Sequence, residues 1–156
     1  MEKREAEKSP FSQLDHVTIA VKDIERAVKF YSSLGIGPFV PPARHDFVNK
    51  TLRDKPLTDK VITREAWIGP VFLQLVQQAE GESLVSEFID RRGEGVFHLG
   101  FVVDDIDKAE DEVVKMGLKV TQRGRREDGS GYTFFETEAL AGVTLEIKEE
   151  PRERKA

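Results

Sequence analysis

The chain has 156 residues, of which 24 are Lys or Arg and 29 are Asp or Glu, giving a net charge of −5 and a pI near 5.3. This acidic balance argues against a nucleic-acid partner, which needs a basic surplus on one face. The absence of cysteine excludes disulfides, thiolate nucleophiles and zinc sites built on sulfur, and the length is enough to bury an unaided core.

Residues 1–10 form a charged tail with no apolar stretch behind it, so no secretory signal is expected and the expected address is cytoplasmic. The alternation of Val17, Ile19 and Val21 predicts a strand with one apolar face. Asp23 is placed to cap a helix whose stripe is Ile24, Ala27, Val28, Tyr31 and Leu34, ended by Gly35. The longest uncharged stretch, Phe30–Ala43, is 14 residues and holds three prolines, so no membrane span is expected. Beyond it a long loop carries Arg44 and His45, a lid or simply wet surface.

Candidate strands follow at Val61–Ile68 and from Val71 through Leu75, separated by Gly69-Pro70. Ser83 is suited to cap a connector helix that runs through Phe88 and Ile89 and stops at Gly93. A second strand, Phe97 through Val103, leads to Asp105 as cap, to Ile106, Ala109, Val113 and Met116 as helical stripe, and to Gly117. Tyr132–Thr137 and the alternating Val143, Leu145 and Ile147 complete the chain of elements. A cluster of Arg123, Arg125 and Arg126 between them is a candidate holder for a phosphate or carboxylate tail.

The second half repeats the first. At an offset of 82, Leu14–Ile36 aligns with Val96–Leu118 without a gap, with identities at His16/His98, Val21/Val103, Asp23/Asp105, Ile24/Ile106, Ala27/Ala109 and Gly35/Gly117. At an offset of 72, Val71, Leu73 and Leu75 match Val143, Leu145 and Ile147, which sets Gln74 opposite Glu146; the first module is longer by ten residues in its loop. The expected fold is α+β: modules at 11–80 and 96–148, each a strand, a helix and three further strands, joined by a linker helix within 81–95. Charged tails at 1–10 and 149–156 flank them.

Side chains alternate across a strand, so His16, Gln74, His98 and Glu146 all fall on the face opposite the bulky apolar residues, beside mostly small or polar neighbours. A lone histidine at a strand start is ordinarily a surface residue; four donors generated by one repeat at equivalent positions are a ligand set. Two imidazoles, an amide oxygen and a carboxylate suit a divalent first-row ion. One carboxylate against two positive charges leaves the centre at +1, which favours an oxyanion forming on a bound carbonyl.

The segment from Leu14 to Val21 followed by Asp23, together with Gly93-Glu94-Gly95-Val96-Phe97-His98-Leu99-Gly100-Phe101, resembles the vicinal oxygen chelate superfamily, which includes glyoxalase I, extradiol dioxygenases, bleomycin-resistance proteins and methylmalonyl-CoA epimerases. Glu87-Phe88-Ile89 running into Arg92-Gly93-Glu94-Gly95 and His98 is most similar to the epimerase branch. The resemblance implies two tandem βαβββ modules forming an open barrel around a metal site, with His16, Gln74, His98 and Glu146 as ligands. It implies one divalent ion (cobalt, zinc, nickel, manganese or iron), a small-molecule substrate with adjacent oxygens, and a homodimer.

The implied activity is that of an epimerase, isomerase or lyase acting on a proton next to a carbonyl through a metal-stabilised enolate. Glu146 would both ligate and shuttle the proton, and Glu65 would be its partner on the other side. A non-catalytic antibiotic-like binding protein of the same fold stays open, as does a glyoxalase I or dioxygenase type of metal enzyme. Trp67, Phe72, Tyr132 and Phe134 are the candidate walls of the pocket, and Arg125 the candidate holder of a substrate tail.

Overall fold

The computed structural model describes residues 9–43 and 46–152. Arg44 and His45, read above as a lid or as wet surface, lie outside the described residues. In chain order the elements are β1 (Leu14–Ala20), α1 (Ile24–Ser33), β2 (Asn49–Leu52), β3 (Lys55–Pro56), β4 (Lys60–Ile68), β5 (Val71–Glu80), α2 (Leu84–Arg92), β6 (Gly95–Val102), α3 (Ile106–Lys115), β7 (Val120–Arg125), β8 (Gly131–Phe135), α4 (Glu138–Ala141) and β9 (Thr144–Lys148). The strands form one sheet in the order β3-β2-β7-β8-β9-β6-β1-β5-β4, an α+β arrangement that is open rather than closed into a barrel.

Each half is a parallel pair bridged by a helix. β1 runs beside β5 with α1 between them in sequence, and β6 beside β9 with α3. The halves meet through the antiparallel pair β1–β6. Both helices start alike: the Asp23 carboxylate accepts from the Arg26 amide, and Asp105 from Lys108, each at 3.1 Å. A second acceptor repeats at the offset of 72, where Gln77 Oε1 accepts from the Ile24 amide and Glu149 Oε1 from the Ile106 amide, each at 2.9 Å. These bonds satisfy amides that a helix start leaves without intrahelical partners.

Glu149 is therefore part of the domain. It and Pro151 are buried, and Arg152 pairs with Glu149 at 2.9 Å, which corrects the reading of 149 onward as a solvated tail over residues 149–152.

Three apolar clusters hold the layers together. Val21, Ile24 and Leu75 pack with Ala27, Val28 and Tyr31 under α1; Ile106, Ala109, Val113, Phe135 and Ile147 form the equivalent core under α3. Each fully buried Val, Leu, Ile or Phe among them contributes about 1.5–3 kcal/mol. The third cluster, Ala20, Val76, Val85, Phe88, Phe97, Tyr132 and Phe134, joins the two modules beneath α2.

The modules differ in where their second strand goes. β7 stays in its own half beside β8, whereas β2, its counterpart, leaves the first half and pairs with β7 itself, Asn49 opposite Arg125 through Leu52 opposite Gln122. Among the described residues only Val40 keeps a bridge to β4, at Glu65. The chain between Val40 and Lys60 thus passes from one end of the sheet to the other and back. Pro41 and Pro42 interrupt it after that bridge, because proline cannot donate to a ladder. Among the described residues no helix is long and apolar enough to cross a membrane.

Candidate metal centre

Strand register builds the centre. Across β5, β1, β6 and β9, one row of neighbours reads Phe72, His16, Gly100, Glu146, and the next reads Gln74, Thr18, His98, Thr144. The donors therefore lie on a diagonal cross, with Gly100 between His16 and Glu146, and Thr18 between Gln74 and His98. Gly100 is required: a Cβ there would stand 2.0 Å from His16 Cε1, so the imidazole lies across bare backbone.

His16, His98 and Glu146 are buried at 2%, 3% and 6% exposure, and their ligand-capable atoms converge. His16 Nε2 is 3.0 Å from His98 Nε2 and 3.0 Å from Glu146 Oε1, and His98 Nε2 is 3.3 Å from the same oxygen. Ligand atoms about 2.1 Å from a common ion and at right angles to one another are about 3.0 Å apart, which matches these separations. Glu146 Oε1 is buried without a hydrogen bond. His16 Nδ1 lies 2.8 Å from Asp15 Oδ2; donating there, it turns the Nε2 lone pair toward the centre. The donor set thus fits a divalent cation.

Gln74 joins through Thr18. Its Nε2 donates to Glu65 Oε2 at 3.1 Å, and its Oε1 accepts from Thr18 Oγ1 at 2.9 Å, the same hydroxyl lying 2.9 Å from His98 Nε2. The amide oxygen is thereby turned toward the cluster and one hydroxyl away from it.

The electrostatics follow from burial and pairing. Burial pushes the Glu146 carboxyl up, but the His98 and His16 imidazoles outweigh it and hold the group well below the usual carboxylate range. Burial lowers His98, which keeps that ring neutral and able to ligate. For His16, burial is outweighed by Asp15 and Glu146, and its pKa is raised. Glu65, half-buried, is raised by desolvation despite the Gln74 hydrogen bond.

A cavity of about 420 Å³ opens on the cluster, and its lining includes His16, Glu65, Gln74, His98 and Glu146. Phe72 lies flat on the His16 ring, centroids 4.8 Å apart at 18°, and Phe134 stands edge-on to His98 at 4.7 Å. Tyr132 also faces the cavity, while Trp67 is 67% exposed and touches it from the rim against Phe72.

Arg125 does not reach the cavity, which corrects its reading as the holder of a substrate tail. Its guanidinium is buried on the helix side, bonded to Asp107, Glu110, Thr133 and the Gly124 and Tyr132 carbonyls. Its neighbour Arg126 lines the cavity instead, 4.5 Å over the Phe47 ring and paired with Asp46.

Three further residues at the site went unassigned from sequence: Asp15, Thr18 and Lys148. Lys148 Nζ is 2.8 Å from Asp15 Oδ2 and 3.1 Å from Glu150 Oε1. It stands two positions after Glu146, so strand alternation alone puts it on the same face.

Residues 15–135 match the Glyoxalase/Bleomycin resistance protein/Dioxygenase superfamily. The chain belongs to this superfamily. The Bacillus subtilis protein YqjC is 24% identical over 141 residues, 88% of this chain and 92% of that one. The methylmalonyl-CoA epimerase of Mycobacterium tuberculosis superposes with a TM-score of 0.67 at 24% identity, over 96% of this chain and 95% of that one. A hypothetical protein of Bacillus halodurans gives 0.67 at 26% identity over 89% and 94%. A variant of the Streptomyces coelicolor epimerase in complex with 2-nitronate-propionyl-CoA gives 0.64 at 24% identity over 88% and 96%. The epimerase fold is shared along nearly the whole chain.

Proposed function

We propose that this superfamily member is a divalent-metal-dependent enzyme that moves a proton on a carbon next to a carbonyl, an epimerase, isomerase or lyase acting on a small substrate with adjacent oxygens. The observation that carries the reading is the meeting of two carboxylates, Glu65 from the first module and Glu146 from the second, in the cavity that holds the His16–His98–Glu146 cluster. His16, His98, Glu146 and Gln74 would hold the ion. A cation bound there supplies a Lewis acid with a net charge of +1, which polarises a carbonyl and makes the adjacent C–H more acidic.

Glu65 then acts as the proton carrier. Oε2 accepts from Gln74, so Oε1 is the oxygen that takes the proton, and its raised pKa brings the base closer to neutrality. Glu146, on the other module, is ionised at rest, so it would relay a proton taken from solvent to the opposite side, which inverts the carbon, while Glu65 passes to water the proton it took. The shared fold with methylmalonyl-CoA epimerases supports an acyl thioester as the substrate class. A homodimer working in the cytoplasm completes the reading.

Metal-loaded protein in heavy water, given a panel of 2-substituted acyl thioesters, tests it. Deuterium enters the carbon next to the carbonyl, and Glu65→Gln slows this on the order of 10²-fold or more while one metal per chain remains. Because the base must be ionised, the rate rises with pH through the pKa of Glu65, placed above that of an ordinary glutamate; Glu65→Gln removes this acidic limb. An absence of uptake across the panel overturns the proposal. A protein without stoichiometric metal that binds an aromatic ligand against Phe72, Tyr132 and Phe134 is instead a sequestering module.

A further inference from the structure

The cavity is larger than a small chelating head needs. At about 420 Å³ it falls within the ~300–1,000 Å³ of pockets that bury drug-sized ligands, well beyond the three carbons and three oxygens of a small 2-oxo acid. Of its charged groups beside the cluster, Asp15 and Lys148 are 2.8 Å apart and neutralise one another, and Glu65 is the base assigned above. Beside the His98 ring stand Phe97 at 5.0 Å and Phe134 at 4.7 Å, and the same cavity is lined by Val61, Val76, Val85 and Tyr132. Apart from the half-buried Val61, which packs against them, these residues belong to the buried core that joins the modules. The cavity is therefore walled in part by the core that joins the two halves.

The polar groups of this chamber are committed to the fold. Gln122 Oε1 accepts from the Leu84 amide at 3.0 Å, and its Nε2 donates to the Tyr132 hydroxyl at 3.1 Å. Lys50 donates to the Asp59 carboxylate and carbonyl, and Asp59 Oδ2 accepts from Gln78 Nε2 at 3.1 Å. A charged or hydroxyl-rich guest would give up water and find few partners here, whereas an apolar guest gains burial against aromatic edges.

We infer that the substrate carries a large apolar group, of the size of a phenyl ring, beyond its two chelating oxygens, and that this chamber receives it. The inference rests on the reading of the cluster as a chelating centre. Val85, from α2, and Val61, from β4, set the depth from different elements, so the molecule selects for side-chain size through the seam between its modules.

Calorimetric binding of pyruvate and phenylpyruvate to the metal-loaded protein tests this, since the two share a chelating head and differ in the ring. Phenylpyruvate is expected to bind at least tenfold more tightly. Val85→Phe and, separately, Val61→Phe should each cut that preference to under twofold with metal content per chain unchanged by elemental analysis; either variant alone serves if the other fails to fold. Equal affinity of the two acids for the unaltered protein, or a preference that survives in a folded variant, overturns the chamber. Binding that persists undiminished after the metal is chelated away overturns instead the reading of the cluster, and failure of both acids to bind overturns both.

Discussion

Thr18, from the first module, stands between Gln74 of its own half and His98 of the other; Gly100, 82 positions on, stands between Glu146 of its own half and His16 of the other. At Thr18 a hydroxyl fills the space and bridges Gln74 to His98 at 2.9 Å on each side. At Gly100 there is no side chain, and the His16 ring occupies the space directly. Duplication placed two equivalent pairs of donors, and divergence at the spacer made one pair direct and the other mediated by a hydroxyl. The same contrast runs through the fourth donor, amide in one module and carboxylate in the other. It leaves a centre with a single negative charge rather than two.

Changes that break the equivalence of the two histidines have the largest expected effect. His16→Ala and His98→Ala should each abolish stoichiometric metal, and each should lower deuterium exchange on the order of 10³-fold or more, since acid–base work alone is worth about 10²–10⁴. The two losses are expected to agree with one another, because each imidazole supplies one Nε2 to one shared point. A variant of either histidine that keeps full metal content, measured by elemental analysis, would show that the modules do not share the ion.

The spacers come next. Gly100→Ala sets a methyl 2.0 Å from His16 Cε1, so the ring must leave its place. Overpacking of this kind costs about 1–3 kcal/mol, and a displaced ligand lowers metal affinity by more than the 10–100-fold typical of outer-shell changes. Thr18→Ala removes only a bridging hydroxyl, so its cost is about 0.5–1.5 kcal/mol, with a correspondingly smaller loss of affinity. Thermal unfolding and metal titration on the pair check the order; a Gly100→Ala protein as stable and as avid as Thr18→Ala would remove the distinction between the spacers.

These same residues show what the sequence makes legible. Strand alternation has period two, and the repeat puts four donors at equal positions in four strands, so their common face needs only the period and the offset. What one residue of slippage does to that logic is visible at Arg125. β7 carries a register shift between Val120 and Gln122, and Val120 packs with the α3 core while Gln122 faces the cavity. Counting alternation straight through from Val120 places Arg125 on the wrong side; the bulge turns it toward α3 and leaves Arg126 at the cavity.

A second shift in β1, between Leu14 and His16, accompanies the bond of Asp15 to its own neighbour His16, where regular alternation would point the two apart. The passage of β2 to the second half was illegible for another reason. Asn-Lys-Thr-Leu is short, polar and without a periodic marker, and its partner strand is more than 70 residues away in sequence. The buried Glu149 was hidden in a charged run, although the match of Gln77 to Glu149 at the offset of 72 was the signal for it.

Gln74→Glu would make the modules alike, with a moderate effect. A second carboxylate cancels the surplus charge, so metal affinity should rise about tenfold or more while exchange falls about tenfold. Glu65 then faces a like charge where Gln74 Nε2 now donates to it, which raises its pKa further. The acidic limb of the pH profile should therefore move to higher pH, and a profile unmoved in this variant would show that Glu65 and Gln74 are not coupled in solution.

The smallest expected effect lies at the helix starts, where the comparison can be made without touching the site. Gln77 and Glu149 accept from the first amides of α1 and α3 at the same 2.9 Å, but only Glu149 carries charge, is buried, and has Arg152 against it. An anion at a helix N-terminus is worth about 0.3–1 kcal/mol, more when partly buried, and a lost cap costs typically about 1 kcal/mol. Gln77→Ala is expected at the low end, Glu149→Ala above it because Arg152 and the Ile106 amide both lose their acceptor. Gln77→Glu should stabilise by a few tenths of a kcal/mol, and that gain should shrink in high salt. Urea unfolding of the three variants measures the ranking; equal losses for Gln77→Ala and Glu149→Ala would mean that the buried charge adds nothing to the second module beyond the hydrogen bond it shares with the first.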